Sequence, residues 1–345
     1  MRPFTTVLIV PTGIGAAIGG YAGDALPVAR VIAQVSDRLI THPNVVNGAS
    51  LYWPLPNVLY CEGYGLDRFA AGAWGLNPVR ANRIGLLLDA GIEDDLRWRH
   101  LQVADAARAT LGLEIGPVVT TKTPLGVSLR QADSGATWGT IEQPGALLRA
   151  GRKLLDQGAE AIAVIARFPD DPGTEALNDY RHGQGVDPLS GAEAVISHLL
   201  VREFAVPCAH APALSPLDLD PELSPRSAAE ELGHTFLPCV LAGLSRAPRF
   251  TTEPTAVDVT VRDVDAVVVP ASACGGPGVL AFAAAGVPII TVSENPTTLD
   301  VTAESLGLGA IACRSYAEAI GVLTALKAGV SPQALTPFHD RLGGA

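Results

Sequence analysis

The stretch Val264–Asn295, VDAVVVPASACGGPGVLAFAAAGVPIITVSEN, contains a complete strand–turn–helix–strand unit. A β-branched run ends at Pro270, an alanine-rich run ends at Gly286, and a second apolar run begins at Pro288. Strands that alternate with helices in this way are typical of a mostly parallel sheet with helices on both faces. The turn after the first strand should therefore lie at the carboxyl edge of the sheet, where such proteins bind ligands.

That turn places Cys274 beside Gly275 and Gly276. Glycines let the backbone approach a ligand, and the N-terminus of the following helix offers N–H groups to an anion. The same helix N-terminus should lower the pKa of the thiol. We therefore predict that Gly275 and Gly276 bind substrate and that Cys274 is catalytic. The alternative is that these small residues only let strand and helix pack closely.

The second strand of this unit ends in further polar residues. Because the carboxyl ends of parallel strands meet at one edge of a sheet, we expect them to converge with Cys274. Glu294 is a candidate general base, and Asn295 and Thr297 are candidate substrate-binding residues.

A second unit of this kind opens the chain, with a strand at Thr5–Val10, a glycine-rich loop at Pro11–Asp24 and a helix at Ala25–Ile40. The glycine spacing fits a dinucleotide-binding loop only loosely, because the third glycine comes one residue late, and no Gly-Lys-Ser/Thr follows that would indicate a P-loop. The loop either binds an anion or nucleotide or is merely a tight connection. The candidate binding residues are Thr12, Gly13 and Gly15.

Other candidate substrate-binding residues also follow predicted strands or lie in polar loops. Asn44 and Asn47 lie in a polar loop, Glu62 follows a short strand, and Lys122, one of three lysines, follows another. Each has a structural alternative, because such residues are also common in surface turns.

Ser190, Glu193 and His198 are candidate substrate-binding residues at a helix predicted for 191–203. The spacing of Ser190 and Glu193 also fits a capping box, which is a purely structural arrangement. Glu193 and Ser197 are four residues apart and should share one helix face, with His198 offset from Ser197 by about 100 degrees.

Cys208 and His210 lie in an extended stretch, two residues apart, so their side chains should point to the same face. A thiol beside an imidazole is a plausible acid–base or nucleophilic pair, and both residues are candidate catalytic groups. Two cysteines across a cleft, such as Cys274 with Cys208 or Cys61, would suit a racemase. The structural alternative is a buried thiol and a histidine bound to a backbone carbonyl.

The composition describes a globular protein without an evident macromolecular partner. Of 345 residues 48% are hydrophobic and 17% are charged, and the net charge is −11 with no basic cluster, which argues against nucleic-acid binding. No apolar run is long enough for a signal peptide or a membrane span, so we expect a cytoplasmic protein that can form a homo-oligomer. The cofactor is unknown, because the sequence contains no metal motif, no P-loop and no firm dinucleotide signature.

These features predict an α/β protein with two Rossmann-like three-layer halves, mostly parallel sheets and a cleft between domains at 1–140 and 141–345. The segment DAVVVPASACGGPGVLAFAAAGVPIITV also resembles the nucleotide-sugar half of two-Rossmann glycosyltransferases, although it lacks their acidic residue early in the helix.

Over the whole chain, several motifs resemble an uncharacterised bacterial family, the domain of unknown function numbered 3326. The resemblance implies no activity. The matching motifs are PTGIG (11–15), NVVNGA (44–49), EGY (62–64), DPLSGAEAVISH (187–198), PCAHAP (207–212), CGG (274–276) and EN (294–295).

We expect an enzyme of small-molecule metabolism that acts on a small anionic substrate, a carboxylate or a phosphate, by Cys/His acid–base or nucleophilic chemistry. An isomerase or racemase and a hydrolase or lyase both fit this pattern. A ligand-binding protein without chemistry and a transferase that uses a nucleotide donor are the alternatives.

Overall fold

The computed structural model of the chain describes residues 2–21, 23–46, 53–170, 174–231 and 236–337, so the predicted binding residue Asn47 lies outside the described residues. The strands in these ranges are β1 (Thr5–Leu8), β2 (Arg38–Thr41), β3 (Val58–Tyr60), β4 (Gly75–Asn77), β5 (Ile84–Leu88), β6 (Ile115–Thr120), β7 (Val127–Gln131), β8 (Thr137–Ile141), β9 (Ala161–Arg167), β10 (Cys208–Ala213), β11 (Arg249–Thr251), β12 (Val264–Pro270), β13 (Ile289–Val292) and β14 (Ala310–Cys313). The helices are α1 (Leu26–Val35), α2 (Pro43–Val46), α3 (Gly63–Ala70), α4 (Asp94–Leu111), α5 (Pro144–Asp156), α6 (Glu175–Arg181), α7 (Ser190–Phe204), α8 (Pro225–Ala229), α9 (Leu237–Ser245), α10 (Pro277–Ala284) and α11 (Tyr316–Lys327).

The larger sheet has the strand order β14-β13-β12-β1-β2-β3, and all its neighbouring strands are parallel. Its centre joins two distant parts of the chain, because Thr5 in β1 pairs with Val264 in β12. The backbone N–H of Thr5 also donates a 2.8 Å hydrogen bond to the carboxylate of Asp265. Both strands are buried runs of β-branched and aliphatic residues, as expected for the centre of a parallel sheet.

The smaller sheet has the order β10-β9-β5-β6 and is also parallel throughout. Two antiparallel pairs, β7–β8 and β4–β11, lie beside the sheets. The predicted α/β class with two mostly parallel, Rossmann-like sheets is therefore confirmed.

Helices cover both faces of the larger sheet. Helices α1 and α11 pack together on one face, and α3 and α10 pack together on the other. Phe69 of α3 and Phe282 of α10 meet edge to face with their ring centroids 6.1 Å apart. None of the helices in the described ranges is long and apolar enough to cross a membrane.

The two sheets are not consecutive in sequence. Strands β1 to β3 and β12 to β14 share the larger sheet, while β5, β6, β9 and β10 form the smaller one. Residue 140 lies inside strand β8. The predicted boundary at residue 140 therefore does not coincide with a division between the sheets, and as a division into folding units it stays a prediction.

The helix predicted for Ala25–Ile40 is shorter than expected. Helix α1 ends at Val35, and Arg38–Thr41 forms strand β2, which pairs with β1. A four-residue segment such as RLIT is too short for its periodicity to distinguish a strand from the end of a helix. The pairing with β1 makes this segment a strand, and the local sequence does not reveal that pairing.

Helix α7 approaches strand β8 very closely, and glycine makes this approach possible. A Cβ atom added to Gly191 would lie 2.3 Å from the Cα of Trp138 and 2.4 Å from the carbonyl oxygen of Thr137. A Cβ atom added to Gly139 would lie 2.3 Å from the Cβ of Ala192. These backbone contacts fix the start of α7 against the hairpin β7–β8.

We predict that Gly191→Ala lowers the free energy of unfolding by about 1–3 kcal/mol, because backbone atoms must move to admit the new methyl group. Urea denaturation measures this change. Gly321→Ala is the matched control in α11, since no heavy atom lies within 4 Å of the added Cβ outside its own local helix. We expect this control to be neutral or stabilising by up to about 1 kcal/mol, and equal effects of the two substitutions would contradict the close contact.

Candidate functional site

A cavity of about 320 Å³ opens at the carboxyl ends of β1, β2 and β3. One wall is formed by the loops after these strands and by the first turn of α10, and the opposite wall is formed by α7, β10 and Glu230. The cavity therefore lies between the larger sheet and the layer that covers the smaller one. Its volume is within the range typical of small-molecule sites.

The position of the cavity follows from the strand order. The chain leaves β1 towards β2 on one side, and it leaves β12 towards β13 on the other, so the direction of winding reverses between β1 and β12. The loops after two such strands separate and leave a crevice between them. Thr12 after β1 and Gly276 after β12 both line the cavity.

Helix α7 presents one continuous stripe of residues to the cavity. The positions follow the spacing of a single helix face. The residues are Ser190, Glu193, Ala194, Ser197 and His198.

The side chain of His210 lies at the cavity wall, and each of its ring nitrogens is near a polar group of α7. Its Nδ1 atom lies 2.6 Å from the hydroxyl oxygen of Ser197, and its Nε2 atom lies 3.5 Å from a carboxylate oxygen of Glu193. Only 11% of the His210 side chain is exposed. The distance of 3.5 Å exceeds that of a direct hydrogen bond, so Nε2 lies near the carboxylate but is not hydrogen-bonded to it.

The capping box that the sequence allows is not formed. Ser190 is the first residue of α7, and its hydroxyl donates to the carbonyl oxygen of Asp187 at 2.9 Å. The carboxylate of Asp187 instead accepts a hydrogen bond from the backbone N–H of Leu189 at 2.8 Å. Glu193 is therefore not used to cap the helix, and its carboxylate points towards His210.

A second imidazole–carboxylate pair lines the same cavity. The Nδ1 atom of His198 lies 3.0 Å from Glu62, and Glu62 also caps α3 by accepting hydrogen bonds from the N–H groups of Tyr64 and Gly65. Burial lowers the pKa of His198, but the hydrogen bond and charge of Glu62, with the charge of Asp67, outweigh it and raise the pKa above its ordinary value. The protonated form of His198 is thereby favoured.

His42 supplies a third imidazole of a different kind. Burial lowers its pKa to about 4, so the ring is neutral near pH 7. Its Nε2 atom accepts a 3.0 Å hydrogen bond from the backbone N–H of Val10, which requires the proton to be on Nδ1. His42 lines the cavity, and within the described ranges its Nδ1–H has no protein acceptor.

Buried carboxyl groups lie at one end of the cavity. Burial raises the pKa of Asp187 well above its usual value, and the charges of Glu230 and Glu193 add to this effect. Burial also raises the pKa of Glu230 to about 7, with contributions from Glu193, Glu231 and Asp24, although the hydroxyl of Tyr180 donates to Glu230 and opposes the shift.

The two helix N-termini at this edge face carboxylates of the chain itself. Glu62 caps α3, and the N-terminus of α10 faces Asp67, where the N–H of Gly278 favours the ionised carboxylate. Burial nevertheless raises the pKa of Asp67. No lysine or arginine of the described chain lines the cavity. The expectation of an anionic substrate stays a prediction.

The glycine loop after β1 is bound mainly by protein groups. The N–H of Ile18 donates to the side chain of Asn295 at 2.8 Å, and the N–H of Gly19 donates to Asp24 at 2.6 Å. Gly13 and Gly15 have positive φ angles of 72° and 59° and do not line the cavity. This loop packs against the segment after β13, since Thr298 donates its N–H to the carbonyl of Ile14.

The cysteines are the clearest correction to the sequence interpretation. All five are buried, and neither Cys274 nor Cys208 lines the cavity. Burial raises the pKa of the Cys274 thiol, which contradicts the expected decrease, and it raises the pKa of Cys208 well above its ordinary value. Their Sγ atoms contact backbone carbonyls of Ala271 and Val206. Cys208 and His210 do share a strand face, but only His210 reaches the cavity.

The remaining candidates outside the cavity have structural contacts or are exposed. Glu294 accepts a hydrogen bond from the N–H of Tyr316 at the start of α11, and the hydroxyl of Thr297 lies 2.9 Å from that of Ser272. Asn295 is buried against the loop after β1. Lys122 is exposed, and Gly275 does not line the cavity.

The structure therefore brings together eight of the predicted site residues. They are Thr12, Asn44, Glu62, Ser190, Glu193, His198, His210 and Gly276.

Five further polar residues of the cavity were not among the candidate substrate-binding or catalytic residues of the sequence. His42, Asp67, Ser197, Asp187 and Glu230 all line it. For the first three, their position after a strand or their spacing along α7 could have predicted from the sequence that they line the cavity. Glu230 had no such signal, because it reaches the cavity only through the packing of the segment after α8. Among the residues that the structure describes, no three His, Cys, Asp or Glu side chains are grouped to hold a metal ion.

Comparison with known proteins agrees with the motifs quoted above. Residues 5–336 match the family described as "Protein of unknown function (DUF3326)", which confirms the resemblance indicated by the sequence. The chain is also similar to an uncharacterized lipoprotein of Synechococcus sp., with 68% identity over 343 residues, covering 99% of this chain and 96% of the relative.

We predict that Glu230→Gln reduces the loss of stability at higher pH. A carboxyl group whose pKa is raised by folding stabilises the protein fully below its unfolded pKa, and this contribution is lost as the pH rises to the folded value, here about 7. Thermal unfolding between about pH 5 and about pH 8 should therefore show a smaller decrease in Tm for the variant than for the wild type. Identical pH profiles would contradict the burial of this carboxyl group. Glu304→Gln, an exposed substitution away from the cavity, is the control.

Proposed function

We propose that this chain, which belongs to the DUF3326 family, is an enzyme of small-molecule metabolism that transfers protons in the cavity, with His210 as the central catalytic group. The observation that carries the proposal is the placement of the His210 imidazole between the hydroxyl of Ser197 and the carboxylate of Glu193. A histidine oriented by a hydroxyl and stabilised by a carboxylate is suited to general acid–base catalysis near neutral pH.

The roles of the neighbouring groups follow from their contacts. Ser197 fixes the orientation of the ring through Nδ1, which leaves Nε2 to exchange a proton with a bound molecule. The carboxylate of Glu193 lies 3.5 Å from Nε2, the nitrogen that would exchange the proton. These contacts make His210 the candidate base.

His198 is the candidate proton donor. Its raised pKa favours the protonated ring, and it faces the same cavity as His210. Because both imidazoles line one cavity, one can accept a proton while the other donates one. An isomerisation, in which one group removes a proton and the other returns it, fits this pair, and a hydrolase or lyase reaction would use the same groups.

The test is a search for turnover in heavy water. Pools of cell metabolites are incubated with the protein, and conversion or deuterium incorporation is followed by mass spectrometry and NMR. We expect His210→Gln to reduce the rate by roughly 100-fold or more, the usual contribution of a general acid–base group. Ser197→Ala should cost much less if Ser197 only orients the ring, and an equal loss would indicate that Ser197 is a nucleophile.

Matched controls separate this effect from general damage. His182→Gln alters another histidine that faces a carboxylate, Asp220, outside the cavity. Cys274→Ala and Cys208→Ala remove the buried thiols. We expect all three to retain turnover in the fraction that is folded. If His210→Gln retains full turnover, the proposal fails, and ligand-induced stabilisation without any turnover would instead indicate a binding protein.

We also propose a cytoplasmic location. The support is that the five cysteines in the sequence are buried, so the folded chain exposes none of these thiols for attachment of a lipid. The relative's name, lipoprotein, gives the competing possibility of a membrane anchor. Cell fractionation with antibody detection should find the protein in the soluble fraction, and recovery in the membrane fraction that is reversed only by detergent would contradict this location.

A further inference from the structure

We infer that the substrate carries an amine, and that its positive charge lies against the carboxyl groups of Asp187, Glu193 and Glu230 while an oxygen of the same molecule accepts a hydrogen bond from His42. The inference rests on the proposed function and specifies the chemical class of its substrate. The described lining of the cavity includes five carboxyl residues and no lysine or arginine. The five are Glu62, Asp67, Asp187, Glu193 and Glu230.

The carboxyl groups differ in how fully the protein already uses them. Glu62 accepts two backbone hydrogen bonds and contacts His198, and Asp67 faces the N-terminus of α10. Asp187 is only 9% exposed, its carboxylate accepts backbone hydrogen bonds from Leu189 and Ser190, and it lines the cavity together with Glu193 and Glu230. A ligand that donates hydrogen bonds would stabilise the carboxyl groups at this end of the cavity.

The charges at this end also repel one another. The charges of Glu230 and Glu193 raise the pKa of Asp187, and the charge of Glu193 raises the pKa of Glu230, in addition to the effect of burial. A bound ammonium group would relieve this repulsion and supply up to three N–H donors, whereas a neutral hydroxyl group would supply one donor and no charge. An anionic ligand would add to the repulsion. The electrostatics therefore favour an amine over an alcohol or a carboxylate.

His42 provides an independent indication of a ligand. His42 lines the cavity and is only 8% exposed, and its Nε2 atom is already bonded to the backbone, which leaves Nδ1–H as the free donor of the ring in the described chain. The neutral ring is a fixed donor that needs an acceptor. An oxygen on the substrate, either carbonyl or hydroxyl, would supply it.

An organic cation fits the site better than a metal ion. Within the described part of the chain, no three His, Cys, Asp or Glu residues are close enough together to ligate one metal ion. A molecule that fills a cavity of about 320 Å³ can reach separate carboxyl groups and His42 at once. Apolar side chains, including Ile9, Leu66 and Val279, line the space between these polar groups.

Three probes of equal length test the inference without any turnover: aminobutanol, butanediol and hydroxybutanoate. Binding is measured near neutral pH by calorimetry and by ligand-observed NMR. We expect aminobutanol to bind at least about tenfold more tightly than butanediol, since one desolvated charge pair contributes at least this much. We expect hydroxybutanoate to bind more weakly than butanediol. Equal binding of aminobutanol and butanediol, or tighter binding of hydroxybutanoate, would overturn the inference.

A pair of double variants locates the binding. Asp187→Asn with Glu230→Gln removes two carboxyl groups of the cavity, and Asp105→Asn with Glu304→Gln removes two exposed ones. The first should reduce aminobutanol affinity by about tenfold or more while butanediol binding is kept, which shows that the site is still formed. The second should leave both affinities unchanged. Equal losses in the two variants would indicate nonspecific attraction to the acidic surface and overturn the inference.

His210→Gln distinguishes failure of this inference from failure of the proposed function. The variant should still bind aminobutanol, because its carboxyl groups are intact, although it should not turn over substrate. Loss of turnover without amine preference leaves the proposed function and removes the inference. Amine preference together with undiminished turnover in His210→Gln leaves the inference about the amine and removes the proposed function.

Discussion

The pairing of β1 with β12 is the constraint on which the molecule depends. It joins residues near the start of the chain to residues about 260 positions later, and Asp265 reinforces it by accepting the N–H of Thr5. Because the chain winds away from these two strands in opposite directions, their loops leave a crevice at the carboxyl edge. The place of the cavity is therefore decided by topology, whichever side chains line it.

Helix α7 provides polar side chains on the other wall of the cavity. Gly191 and Gly139 allow its first turn to lie against strand β8, and this contact sets the height of Glu193, Ser197 and His198 above the sheet. Strand β10 then brings His210 between Glu193 and Ser197. The proposed acid–base groups are thus carried on a helix and a strand, where packing restricts their movement more than a surface loop would.

The expectation of an anion site rested on helix N-termini at the ends of strands, which attract negative charge. The negative charge is supplied by Asp67 and, at α3, by Glu62, which are parts of the chain itself. Cys274 was expected to have a lowered pKa for the same reason. A helix N-terminus lowers the pKa of a thiol only if burial does not raise it more. The sequence Cys-Gly-Gly does not show how deeply the thiol is buried.

The sequence by itself determined the α/β class, the parallel sheets, the family, and the edge at which a site should lie, because alternation of buried strands with helices is a local property of the chain. It also placed Glu193 and Ser197 on one face of a helix, and His210 on the same strand face as Cys208. Only the tertiary structure decided which strand ends meet. It grouped Glu230, Asp187 and His42 with these residues, and it left Cys208, Cys274 and Lys122 outside the cavity. The physical reason is that spacing along a helix or strand fixes direction, whereas distance between elements depends on packing across the whole fold.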